Sequence, residues 1–270
     1  RQSADMFFKK TPFGTIFLAV IILVAYWLLA ADTPYITDEN LGDFALTPNH
    51  PLSIISHLFI HVGIFHLIGN LLALLFFGLA IEAVLLSADV ILIFLLAGTG
   101  ASLLFAISNP GIPLIGASGG ISGIISAAIL LRPKISIGLL LLTPLLISFI
   151  FYPAADYASN AYSKQLESQK IVFEEDLQTA VEQNKPIEEI SKLNQTIQIT
   201  NEKIDITFGG KEREAQTPTD FFVHAYGAIF GGVYLYLFKR KLLKRAEKEY
   251  VSIGEFIFNK IDEIKERLKI

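Results

Sequence analysis

Four of the five histidines of this chain, and one glycine-flanked serine, lie in stretches that are otherwise almost wholly apolar. Ser118 sits in G-A-S-G-G-I-S-G, and His224 in D-F-F-V-H-A-Y-G-A-I-F-G-G. His57, His61, His66 and Asn70 share the run S-H-L-F-I-H-V-G-I-F-H-L-I-G-N. A hydroxyl becomes a useful nucleophile when a base takes its proton, and neutral imidazole is the usual base. Polar groups inside a lipid-spanning helix are costly, about 2.5–3.5 kcal/mol for a charge on insertion scales, and mark function by default. There is no cysteine, so thiolate chemistry, disulfides and thiolate metal sites are excluded.

Ser118 has Gly116, Gly119, Gly120 and Gly123 around it. Such a run reads either as a helix-packing seam of small residues or as a nucleophile held at a helix start. It also fits G-x-S-x-G, but the soluble elbow of that form needs a strand before the serine, and none is expected here. From Gly116 to Arg132 there are about 16 residues, or ~24 Å of helix against a ~30 Å hydrocarbon core. With Arg132 at the cytoplasmic surface, Ser118 lies below the outer surface. The free N–H groups and positive dipole end of a helix start there favour a developing oxyanion.

His224 is followed by Gly227 and Gly231, at i+3 and i+7. That glycine face lets the last span press on the Gly119–Gly123 face and bring His224 to the depth of Ser118. His66 and Asn70, at i and i+4, share one helix face, and both can donate hydrogen bonds to an oxyanion or clasp a neighbouring helix. Three histidines could hold zinc, but H-E-x-x-H is missing and Glu82 is ~18 Å along the helix from Asn70. No metal is expected.

The elements that position these groups follow from the apolar blocks. Mean hydropathy is +0.51, and 52% of residues are apolar. The blocks predict an all-α membrane protein with spans near 14–31, 65–86, 89–108, 115–131, 135–153 and 220–238. The first is expected to be a true span and not a signal peptide. Lys9 and Lys10, then Arg132 and Lys134, then Lys239, Arg240, Lys241, Lys244 and Arg245 fall on one side if there are six spans. The positive-inside rule then puts both termini in the cytoplasm of a multi-pass cell-membrane protein. Four regions result: a membrane core of five helices over 1–153, an outer insert over 154–219, a sixth membrane helix over 220–238, and a tail over 239–270. Gly98 and Gly100 suit close packing of the third span.

Residues 155–219 carry 7 basic and 12 acidic residues, a balance of -5, and residues 239–270 carry 10 and 6, a balance of +4. The tail aligns Ile253, Phe256, Ile257, Ile261, Ile264 and Leu268, a face for the membrane surface or for a partner. In the insert, Leu166, Phe173, Leu177, Ala180 and Val181 follow a heptad-like spacing. Asn184-Lys185-Pro186 breaks it, and Ile187, Ile190, Leu193, Ile197 and Ile204 resume it. Two stripes joined by a short turn predict an antiparallel helical hairpin outside the membrane. Such a hairpin over 160–206 would restrict substrates, dock a second copy or a partner, or serve as a passive acidic spacer.

Together these motifs resemble the rhomboid intramembrane serine proteases. The resemblance rests on Gly116-Ala117-Ser118-Gly119 at a fourth span, His224 in a sixth, and the H-x-x-x-H-x-x-x-x-H-x-x-x-N run of His57, His61, His66 and Asn70. It implies a six-helix rhomboid-like bundle and a Ser118–His224 dyad without a third acid, Asp220 being the one nearby candidate. It further implies an oxyanion hole from His66, Asn70 and the Ser118 N–H, with His57, His61, Gly116, Gly119, Gly227 and Glu82 in support. The implied substrates are membrane-spanning helices in the bilayer, cut without metal or cofactor; nucleic acid is not a partner. The alternative is an inactive rhomboid-like binder or chaperone of membrane helices. Two departures stand out: Leu52-Ser53 replaces the usual Trp-Arg pair of the first loop, and Ser122 stands where some members stack a Tyr on the histidine.

Overall fold

Four stretches of this chain confine charge to their ends, and each folds as one long helix. They are α1 (Phe13–Ala30), α3 (Ile64–Glu82), α4 (Ser87–Ser108) and α9 (Phe221–Phe238). The computed structural model describes residues 11–30, 33–42, 44–48, 50–216 and 221–247. Among these residues there is no strand, only three isolated antiparallel bridges. With the long helix that starts at Pro133, five helices are long and apolar enough to cross a membrane. A shorter apolar helix, α5 (Ser118–Leu131), completes a six-helix bundle. The chain is thus an all-α, multi-pass membrane protein. Its outward side chains are large and apolar, among them Trp27, Ile107 and Phe149, as a lipid solvent demands.

The short helix is central. Its 14 residues span about 21 Å, and α3, α4, α6 (Pro133–Leu146) and α9 pack around it. The Phe94 carbonyl oxygen lies 2.6 Å from where a side chain at Gly120 would begin, and Leu58 of the first loop fills the space over Gly98. Phe230 of α9 lies over Gly100. Small residues thus let α4 and α5 close up at Gly120 and α4 and α9 at Gly100, while Gly98 makes room for a loop side chain.

One end of the bundle is tied by charge. The Glu82 carboxylate accepts the Gly14 N–H at 2.7 Å, the Thr15 N–H at 2.8 Å and the Thr15 hydroxyl at 2.6 Å, which caps the start of α1. Asp89 accepts the Tyr234 hydroxyl at 2.7 Å and pairs with Lys239 at 2.7 Å. Arg132 donates to the Ala80 carbonyl at 3.3 Å. At the other end, a short helix α2 (Asp38–Gly42) and two 3₁₀ turns, Pro51–Ile54 and Ser56–Phe59, form the first loop. That loop is stitched to α3 by the Tyr35–Gly63 bridge and to the segment before α5 by the Leu46–Leu114 bridge.

The helix of the fifth span does not stop near 153, where its apolar block ends. α6 passes through one π turn, Ile147–Phe151, into α7 (Tyr152–Glu182), a run of 50 residues. Pro144 and Pro153 flank the turn. Each lacks an N–H, so the ordinary i→i−4 ladder is broken on both sides and the widened turn absorbs the mismatch. α7 then pairs with α8 (Ile187–Gln216) in a hairpin whose tip turns at Asn184, with φ +54°. Leu166 and Ala180 are buried in the seam, with Phe173, Leu177, Ile190, Leu193, Ile197 and Ile204 half-buried. Val181 and Ile187 point outward, at 53% and 85% exposure. They sit beside the turn, where no partner helix remains to cover them. The tail stripe from Ile253 to Leu268 and the basic pair Lys9 and Lys10 lie outside the described residues.

Candidate active site

The site is built at the start of α5. Gly116 has φ +118°, which an L side chain resists, and its N–H donates to the His57 carbonyl at 2.9 Å. A Cβ at Gly116 would also lie 2.8 Å from Cε1 of His66 and 2.9 Å from its Nε2. The glycine thus allows a turn and the close approach of an imidazole at once. Ala117, fully buried, is the N-cap of α5 and makes no side-chain cap bond, so the first N–H groups of the helix keep their bonding capacity. Ser118 is the first helical residue and is half-buried.

Facing it is α9. A Cβ at Gly227 would strike the Gly119 carbonyl, and one at Gly231 the Gly123 carbonyl. Gly227 lies opposite Gly119 and Gly231 opposite Gly123, so α5 and α9 run side by side in matched register, glycine backbone on glycine backbone. His224 is one turn before Gly227, and Ser118 one residue before Gly119. At 1.5 Å per residue their levels along the two helices differ by only about 3 Å. Val223 packs over Gly119, and the His224 ring is within electrostatic reach of His66.

The histidine run is layered. His66 meets His61 edge-on, with ring centroids 4.9 Å apart. His61 is completely buried, and neither of its ring nitrogens has a hydrogen-bond partner of good geometry. His57 is also buried. Its Nδ1 is 2.7 Å from the Ser53 carbonyl and its Nε2 2.7 Å from the Ser102 hydroxyl on α4. Here Ser53, of the Leu52-Ser53 pair that departs from the usual Trp-Arg, supplies its backbone, while Leu52 beside it is 94% exposed. The Asn70 amide donates to its own helix at the His66 carbonyl, 2.9 Å away, which leaves its second N–H for another acceptor.

Glu82 is remote from this cluster and serves as the α1 cap described above. Ser122 is half-buried one turn into α5. Asp220 lies outside the described residues. Among the described residues no group of three or more His, Asp or Glu is arranged to hold a metal. Sequence reasoning missed Ser102, whose signal was its place four residues after Gly98 on the small-residue face of α4. It also missed Tyr152, which meets Phe65 of α3 edge-on at 5.4 Å and brings its hydroxyl to 3.1 Å from a Cβ at Gly69.

A glycine-lined helix start at the centre of a six-helix membrane bundle, with a histidine on the adjoining helix, is the layout the motifs led one to expect. Residues 48–170 match the family model of the Rhomboid domain. That stretch is a rhomboid domain; the match ends within α7, ahead of α9. Among curated proteins, RHOMBOID-like protein 1 of Arabidopsis thaliana is 33% identical over 70 residues, which cover 26% of this chain and 18% of that protein. The chain is therefore matched to less than a fifth of that relative's length. No solved structure gives a significant match.

Proposed function

We propose that the chain is an intramembrane serine endopeptidase that cuts membrane-spanning segments of other proteins. The observation that carries this reading is the glycine-on-glycine contact of α5 and α9, because it sets the helix of His224 against the helix of Ser118 inside a bundle that contains a rhomboid domain. The Ser118 Oγ attacks the scissile carbonyl carbon as its proton passes to His224. The oxyanion takes hydrogen bonds from the Ser118 N–H, from the His66 ring and from the free N–H of Asn70. Collapse breaks the C–N bond, and His224 gives the proton to the leaving amine. Water then attacks the acyl-serine with His224 again as base. The charged end of the bundle faces the cytoplasm, in keeping with its basic residues, and the site opens toward the opposite face.

The test is cleavage of a generic transmembrane substrate in detergent, alongside labelling by a serine-directed fluorophosphonate. Wild type is expected to cut and to be labelled, and Ser118→Ala to do neither while keeping its helicity. His224→Ala is expected to lose cleavage as well. Absence of both cleavage and labelling in folded wild type would favour an inactive binder of membrane helices, and cleavage by Ser118→Ala would end the proposal.

A further inference from the structure

The α7–α8 hairpin contributes nothing to the chemistry above, yet one of its roots presses on the first turns of α3, the helix of His66 and Asn70, and the other on the loop segment bridged to the start of that helix. From α7, Tyr152 stacks on Phe65 and reaches over Gly69. From α8, buried Gly210 meets Tyr35 so closely that a Cβ there would collide with both the ring and the Cβ of the tyrosine. Tyr35 is itself completely buried. Its backbone bridges to Gly63, and the next residue, Ile36, donates its N–H to the Val62 carbonyl at 3.0 Å. Gly63 is the N-cap of α3, three residues ahead of His66. Beside Gly210, Lys211 closes the root on Asp156 of α7 at 2.5 Å.

An unbroken line of contacts therefore runs from α8 through Tyr35 and Gly63 to His66. At its end the imidazole has little freedom, held between Gly116 and the His61 ring. The neighbouring Gly209 supplies an internal contrast, since nothing lies within 4 Å of a Cβ built there. The pair thus separates the helix-weakening effect of a glycine, common to both positions, from close approach to the first loop, which only Gly210 makes.

We propose, on the basis of the protease reading above, that Tyr35 and Gly210 are positioning residues. The docked root of the hairpin fixes the first turn of α3 and, through it, the oxyanion donors His66 and Asn70. The insert is in this sense part of the scaffold of the site, and its docking is felt in turnover more than in substrate binding.

The experiment is steady-state cleavage of one transmembrane substrate by wild type, Gly210→Ala, Gly209→Ala and Tyr35→Ala, each also made in the Asn70→Ala background. Gly210→Ala is expected to lose kcat severalfold with KM unchanged, and Gly209→Ala to match wild type. Tyr35→Ala removes the other partner and leaves α8 untouched, so it tests the same contact if Gly210→Ala fails to fold. It is expected to give the same kcat loss. In the Asn70→Ala background the losses from Gly210→Ala and Tyr35→Ala shrink, because one of the donors being positioned is already gone. Equal rates for Gly210→Ala and Gly209→Ala, or a loss of the same factor in both backgrounds, overturns the inference while leaving the protease reading intact. A wild type with no cleavage overturns that reading first.

Discussion

The two ends of the helix bundle solve the problem of polar groups in opposite ways. At the charged end Glu82, Asp89, Tyr234, Lys239 and Arg132 all find partners within 3.3 Å. At the other end His57 is satisfied by Ser53 and Ser102, but three features are left with bonding capacity: the uncapped start of α5, the second N–H of Asn70 and the ring of His61. Satisfied buried polar groups hold helices together, and unsatisfied ones are costly unless something else binds them. On the proposed protease reading, the contrast separates polar residues kept for architecture from those kept for a reacting carbonyl.

Substitutions at the two ends should therefore break different properties. The largest effect expected is at the site, where Ser118→Ala abolishes turnover and leaves thermal stability unchanged. Asn70→Ala comes next, with a loss within the ~10²–10³ typical of one oxyanion donor, because two others remain. At the charged end Glu82→Ala does the converse. It strips three bonds from the start of α1 and lowers stability by about 3 kcal/mol, with turnover per folded molecule retained. Thermal unfolding in detergent alongside active-site titration checks both; a Glu82→Ala protein that is stable but inactive would blur the division. Ser102→Ala sharpens it at smaller scale. It leaves Nε2 of buried His57 without its hydroxyl and costs about 1–2 kcal/mol, at the site end yet outside the chemistry.

The smallest effect belongs to the hairpin root. The Lys211 ammonium holds the Asp156 carboxyl below its usual range, through their hydrogen bond, against a small opposing desolvation. A depressed carboxylate pKa stabilises above the unfolded value and fades as pH falls through the folded one. Asp156→Asn should thus have a slight effect at neutral pH that disappears in acid and in high salt, both sides of the pair being exposed. Melting curves at two pH values and two salt concentrations measure it.

Much of this was legible from spacing. Gly227 and Gly231 against Gly119 and Gly123 could be paired from sequence because close helix approach leaves small residues at fixed intervals. The hairpin turn showed at Asn184-Lys185-Pro186 because a heptad stripe stops there. The histidine run and Ser118 stood out as polar residues in apolar blocks. Other features had no linear signature. A π turn depends on how two prolines share one strained ladder, and hydropathy marks where the apolar block ends, not where the helix does. Ser102 is an ordinary serine until folding brings His57 to it, 45 positions away. Tyr35 and Gly210 are unremarkable apart, and meet only because α8 returns to the first loop.

The cap that Glu82 places on α1 also bears on the order of biosynthesis. α1 enters the bilayer with the N–H groups of Gly14 and Thr15 bare, and the carboxylate that accepts them is the last residue of α3, nearly seventy positions later in the chain. Until α3 has been made and inserted, the first helix must keep that end in the wet interfacial layer, where water serves as acceptor. Only the arrival of α3 lets it settle to its final depth. Docking of α1 on α3 is thus a post-insertion step with its own trigger, and a chain stalled before residue 82 should leave α1 shallow and accessible to aqueous labelling reagents.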